Sequence, residues 1–148
     1  MTHHLAQLNI ARARYTNDDP RFAEFMDALD EINALAEAAP GFVWRLQDEG
    51  GNATEIRIFD DDMLLVNLSV WEDVESLHAY VYRTDHTPFL RRRGEWFEKM
   101  EEPHLVMWWV PAGHIPSTDE AKERLERLRR DVSGPEAFTF RSPEPPPD

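Results

Sequence analysis

Apolar and polar positions change period several times along this chain, and the changes lay out its elements. Residues 5–13 alternate around Leu8 and Ile10, which predicts a strand with Asn9 on the face opposite to those two. Asp19-Pro20 is a cap followed by proline, and Phe22, Phe25, Met26, Leu29, Ile32 and Leu35 then repeat at helical spacing until Pro40-Gly41 stops them. Residues 42–46 and 54–59 read as short strands around a polar loop, the second ending at the acidic turn Asp60-Asp61-Asp62. Residues 63–71 are β-branched and apolar, as a buried strand requires, and Asp73 caps a helix whose Val74, Leu77, His78 and Val81 share a face. Thr87-Pro88 repeats the cap-plus-proline signal. Phe89, Arg93, Trp96 and Met100 follow at i, i+4, i+7 and i+11, predicting a helix up to Pro103 with Arg93 on an otherwise apolar stripe. Residues 104–110, with Met107-Trp108-Trp109-Val110, form the last strand of the main unit.

This order of strand, helix, strands, helix, strand is the split βαβ arrangement, so the expected class is α+β: a ferredoxin-like antiparallel sheet with helices on one face. The other face would carry large apolar side chains needing cover, which a two-fold homodimer supplies. Residues 1–112 make the main domain. Residues 113–141 are expected to dock on it as a helix, with capping-box spacing at Ser117-Thr118-Asp119-Glu120 and a stripe of Ala121, Leu125, Leu128 and Val132, followed by a short alternating strand. Residues 142–148 are proline-rich and expected to be a disordered tail.

Composition narrows the chemistry. At 148 residues and 41% hydrophobic, the chain suits one globular unit. It has no cysteine, which excludes thiolate nucleophiles, disulfides and cysteine-ligated metals. A net charge of −13 repels nucleic acid and anionic lipid, and no signal or membrane-spanning pattern is present, so a cytoplasmic protein with a small-molecule partner is expected. No serine elbow, glycine-rich phosphate loop or diagnostic histidine pair stands out, and no metal site is expected.

Some side chains remain that packing does not require. His86 precedes a helix start, where the dipole favours neutral imidazole suited to acid–base work; a second cap is the alternative. Tyr82, four residues earlier, would share the same cavity as a phenolic donor or be a boundary aromatic. Arg93 needs an internal carboxylate or an anionic ligand, whereas Arg91 and Arg92 fit a solvated helix face. Trp71, Trp96, Trp108 and Trp109 read as core or interface, or, with Asn9 and Asn67, as the lining of a flat aromatic pocket.

The segments Leu5-Ala6-Gln7-Leu8-Asn9, Val66-Asn67-Leu68-Ser69-Val70-Trp71-Glu72, Arg92-Arg93-Gly94-Glu95-Trp96-Phe97, Trp108-Trp109-Val110-Pro111-Ala112-Gly113-His114 and Ala137-Phe138-Thr139-Phe140 carry a resemblance. Nearly end to end, the chain resembles an uncharacterised bacterial family of the dimeric α+β barrel superfamily, related to antibiotic-biosynthesis and haem-degrading monooxygenases. The resemblance implies a pocket between sheet and helices, with Asn9 and Trp71 at positions similar to an asparagine and a tryptophan of the small monooxygenases. It also implies no cofactor, since Arg91-Arg92-Arg93 stands where the haem-degrading relatives place their iron-ligating histidine. The leading expectation is a cofactor-independent, monooxygenase-like enzyme for an aromatic or polyketide-like substrate. In it Trp71, Trp96 and Trp109 shape the pocket, Asn9, Asn67 and His86 polarise the substrate or move protons, and Arg93 holds an anionic oxygen. The competing expectations are a non-catalytic ligand-binding or structural dimer, and a haem-binding protein.

Overall fold

The architecture was read from a computed structural model, which describes residues 3–47, 59, 61, 63–85, 91–131 and 133–147. Four strands are described: β1 (His3–Arg12), β2 (Phe42–Arg45), β3 (Leu64–Trp71) and β4 (Leu105–Pro111). Three helices accompany them: α1 (Ala23–Ala38), α2 (Val74–Asp85) and α3 (Thr118–Arg130). The sheet order is β2-β3-β1-β4 with every neighbouring pair antiparallel, which is the ferredoxin-like arrangement.

Local chemistry sets the helix ends where the sequence places them. Asp19 accepts from the Arg21 amide and Pro20 opens a 3-10 turn leading into α1. Asp73 accepts from the Ser76 amide at 2.8 Å ahead of α2, and Ser117 accepts from the Glu120 amide at 3.0 Å ahead of α3. Gly41 closes α1 into β2 at φ 85°, a conformation that favours glycine; a side chain there would also collide with Ser76.

Alternation along β1 sends Ala6, Leu8 and Ile10 to one face of the sheet and Leu5, Gln7 and Asn9 to the other. α1 and α2 pack on the Leu5 face, where Ala36, Ala39 and Leu77 meet Leu5, Trp71 and Met107. α3 packs on the other: Ala121, Leu125 and Leu128 bury against Ala6, Leu8, Ile10, Val106 and Trp108. Helices thus cover both faces, which corrects the expected one-sided arrangement. The apolar surface that was to demand a second subunit is already sealed within one chain, Leu8, Val106 and Trp108 being 0% exposed. The argument for a two-fold partner from a bare sheet face therefore falls away.

The helix expected across residues 87–103 also differs. Residues 87–90 and His86 lie outside the described residues, as does most of the strand expected over 54–59. From Arg93 to Glu95 the chain makes a single 3-10 turn, and Phe97 pairs instead with Ala13. Gly94 weakens helix continuation there, and the backbone is recruited beyond the end of β1: the Arg14 amide donates to the Trp96 carbonyl at 2.7 Å and the Glu98 amide to Arg12 at 2.8 Å. At the far end, Met107 and Phe138 exchange two backbone hydrogen bonds at 2.8 and 2.9 Å, so the chain after α3 does extend the edge of β4. The proline-rich segment touches the body as well, Trp109 Nε1 donating to the Glu144 carbonyl at 3.0 Å. No helix among the described residues is long and apolar enough to cross a membrane.

Candidate functional site

A cavity of about 950 Å³ lies between α1, the face of the sheet that α1 covers and the segment 91–100. Its walls follow from sequence periodicity. Phe25, Leu29 and Ile32 repeat along α1 and remain half-buried, and Leu65, Phe97 and Met100 extend the apolar wall, Phe97 meeting Phe25 edge-on with ring centres 4.9 Å apart. The floor is polar: Asn9 on β1 and Asn67 on β3 are directly opposed in register and both are exposed. The Asn9 side chain has no hydrogen-bond partner among the described residues. Asn67 accepts one hydrogen bond at Oδ1, from Gln7, and its Nδ2 is without an acceptor among the same residues.

Basic groups ring this floor although the chain as a whole is strongly acidic. Arg14, Arg45, Arg91, Arg93 and Lys99 line the cavity against the carboxylate of Glu98. Arg45 is committed to Glu37 at 3.0 Å, and Arg14 donates Nε–H to the Gly94 carbonyl at 3.1 Å. Arg91 and Lys99 make no ion pair among the described residues. The three consecutive arginines divide their work, because the turn at residues 93–95 sends neighbours in different directions. Arg92 is held by Glu95 and Glu24, which raise its pKa, and stacks over the Trp96 ring at 5.0 Å, while Arg91 and Arg93 line the cavity. Arg93 is exposed, which corrects the expectation that its guanidinium is buried on an apolar stripe, and it has an interaction of its own.

The aromatics sit elsewhere. Trp71 is 1% exposed, stacks on Tyr80 with ring centres 5.1 Å apart and meets Phe42 edge-on at 5.4 Å, within the core under α2. Trp96 is 2% exposed and packs on Phe25 behind the cavity wall. Trp109 faces Phe138 and the proline-rich segment. None of the three is among the cavity-lining residues, and Tyr82 projects from α2 at 64% exposure. Of the expected site residues, then, Asn9, Asn67 and Arg93 are brought together, the tryptophans supply packing, and His86 lies outside the described residues.

Two residues not singled out from sequence connect these regions. Gln7 and Ser69 are buried polar side chains on the cavity side of the sheet, 4% and 5% exposed. Gln7 Nε2 donates to Ser69 Oγ at 2.8 Å, to Asn67 Oδ1 at 2.9 Å and to the Asn67 carbonyl at 3.2 Å. Trp71 Nε1 donates to the same Ser69 oxygen at 2.8 Å. Strand alternation alone places Gln7 beside Asn9, and Ser69 between Asn67 and Trp71, so the signal was present as a two-residue step. His104 also lines the opening, its Nδ1–H donating to the Glu102 carbonyl at 3.2 Å. Among the described residues no cluster of histidines and carboxylates has the makings of a metal site.

Comparison with known proteins is sparse on function. No curated protein matches the chain. Solved structures with a similar course include SnoaB, a cofactor-independent oxygenase from Streptomyces nogalater, at 17% identity and a TM-score of 0.41, covering 78% of this chain and 97% of that one. A protein of unknown function from Nitrosomonas europaea, NE2512, reaches a TM-score of 0.45 at 14% identity, covering 78% of this chain and 97% of its own. The family model described as "Domain of unknown function (DUF3291)" matches residues 4–148, and the chain belongs to that family.

Proposed function

We propose that the protein binds a flat, largely apolar small molecule bearing an anionic oxygen, seated between α1 and the sheet. One observation carries this reading: two opposed asparagines, with amide donors left over, form the floor of a cavity whose rim holds Arg91, Arg93 and Lys99. The half-buried α1 side chains Phe25, Leu29 and Ile32 supply apolar area for the body of the ligand, and the amides and cations fix its oxygen. A charge-assisted hydrogen bond in such a site is worth about 1.5–3 kcal/mol, enough to select the ionised form of a ligand.

The catalytic form of the same reading is cofactor-independent oxygenation, to which the resemblance of Asn9, on the cavity floor, to a monooxygenase position lends support. An enolate or phenolate stabilised on the floor would react directly with dioxygen. A CH₂ becomes C=O, one oxygen atom enters the product and the other leaves as water, with no outside reductant. His86 would take the substrate proton, as the Thr87-Pro88 helix-start signal that follows it in the sequence suggests; His104, which lines the cavity, is the alternative acceptor. Arg93 would hold the developing oxyanion.

The test is calorimetric titration of 2-naphthoate into the purified protein, with oxygen uptake on anthrone followed separately and corrected for spontaneous oxidation. Binding that weakens about five- to tenfold in Arg91→Ala or Lys99→Ala is expected, because each removes one charge beside the ligand. Binding indifferent to both substitutions would refute the anion site. Oxygen uptake equal to the uncatalysed rate, with binding intact, would leave a ligand-binding protein and remove the oxygenase.

A further inference from the structure

Gln7 makes no contact with the open cavity, yet it decides what the floor presents. A carboxamide sealed inside a sheet is tolerated only when its hydrogen bonds are made, and those of Gln7 Nε2 go to Ser69 Oγ and to Asn67. The consequence falls on Asn67. Its carboxamide is planar, so fixing Oδ1 on Gln7 at 2.9 Å leaves Nδ2 as the end free to meet a ligand. The Gln7 amide is itself held from the other side, since its second acceptor, Ser69 Oγ, is pinned by the Trp71 indole at 2.8 Å. Trp71, Ser69, Gln7 and Asn67 thus form one relay from the core under α2 to the cavity floor.

We propose that Gln7 is a positioning residue: by holding Asn67 Oδ1 it commits the Asn67 carboxamide to offer N–H to the cavity, so that the site takes a ligand oxygen that accepts and discriminates against a donor at that point. The proposal rests on the anion-binding reading above and adds the residue that enforces it. Without Gln7, Asn67 turns freely and presents its carbonyl as readily as its amide, and an anion meets a dipole of no fixed sense.

The experiment is a double-mutant cycle read by affinity for 2-naphthoate, with neutral 2-naphthylmethanol as the control probe. In the wild-type background Asn67→Ala is expected to weaken naphthoate about five- to tenfold and naphthylmethanol less than twofold. In the Gln7→Leu background the same Asn67→Ala step is expected to change naphthoate less than twofold. Gln7→Glu keeps the side-chain volume should Gln7→Leu fail to fold, and its acceptor oxygens are expected to abolish the coupling likewise. A second readout is the Asn67 side-chain ¹⁵N–¹H₂ signal, which should shift on adding naphthoate to wild type and stay still in Gln7→Leu, with the Trp71 indole signal reporting an intact core. An Asn67→Ala penalty of equal size with and without Gln7 overturns the positioning role while leaving the cavity reading in place. Failure of wild type to bind either probe overturns the cavity reading itself and the proposal with it.

Discussion

Replacing Ser69 by alanine removes a single oxygen, and the geometry around that oxygen fixes how much this should cost. Ser69 Oγ accepts from Trp71 Nε1 and from Gln7 Nε2, both at 2.8 Å, and all three residues are nearly or fully buried. Ser69→Ala therefore leaves a buried indole N–H and one buried amide N–H facing a methyl group. A buried donor deprived of its partner costs about 1–3 kcal/mol, so the pair should cost about 2–6 kcal/mol, equivalent to a fall in Tm of roughly 5–20 °C for a domain of this size. Urea unfolding followed by tryptophan fluorescence measures it. Trp71→Phe sharpens the test, because it deletes one of the two donors in advance. In that background Ser69→Ala should cost about half as much, the difference being the coupling between the indole and the hydroxyl. A loss under about 1 kcal/mol in the wild-type background, or an undiminished loss in the Trp71→Phe background, would show that the hydroxyl is not the shared acceptor and that the relay is not a mechanical unit.

Two further outcomes test the rest of the frame. Leu125→Ala empties a fully buried position between α3 and the sheet, and should lower stability by about 2–5 kcal/mol in urea unfolding; a neutral result would mean that α3 does not seal that face. Partial burial pushes the Glu120 carboxyl up, but hydrogen bonds from His114 and Trp108 more than reverse this and hold it below its ordinary value of 4.5. A depressed carboxyl contributes stability above its unfolded pKa and loses it as pH falls through the folded one. The advantage of wild type over Glu120→Gln should accordingly shrink in unfolding curves taken from pH 6 down to pH 3, and a constant gap would contradict it.

The skeleton was legible because its signals are local. Asp19-Pro20, Asp73 and Ser117 each start a helix where a short-range hydrogen bond dictates, and alternation in β1 and β3 places Asn9 and Asn67 on one face. What was not legible depends on the third dimension. The stripe of Ala121, Leu125 and Leu128 announces a helix that docks, but not which side of the sheet it takes; that choice removed the bare face from which a dimer was argued. The apolar spacing of Phe89, Arg93, Trp96 and Met100 suggested a helix because periodicity cannot see that backbone groups of Arg12 and Arg14 compete for Trp96 and Glu98. Arg93 lost its place on a buried stripe for the same reason. Tryptophan content left core packing and pocket lining both open, and burial decided for the core: Trp71 stacks on Tyr80 under α2 and Trp96 packs on Phe25 behind the cavity wall.

The inverted charge of the cavity has a kinetic consequence. An anion approaching from bulk water meets the outward field of a molecule carrying −13 before it reaches the guanidinium groups, so its passage is opposed at long range and rewarded at short range. Added electrolyte damps the distant repulsion and the close attraction alike, which makes arrival faster and residence shorter. Occupancy would then depend on ionic strength through two opposing rates, and the cell's salt level becomes part of how tightly the site is filled.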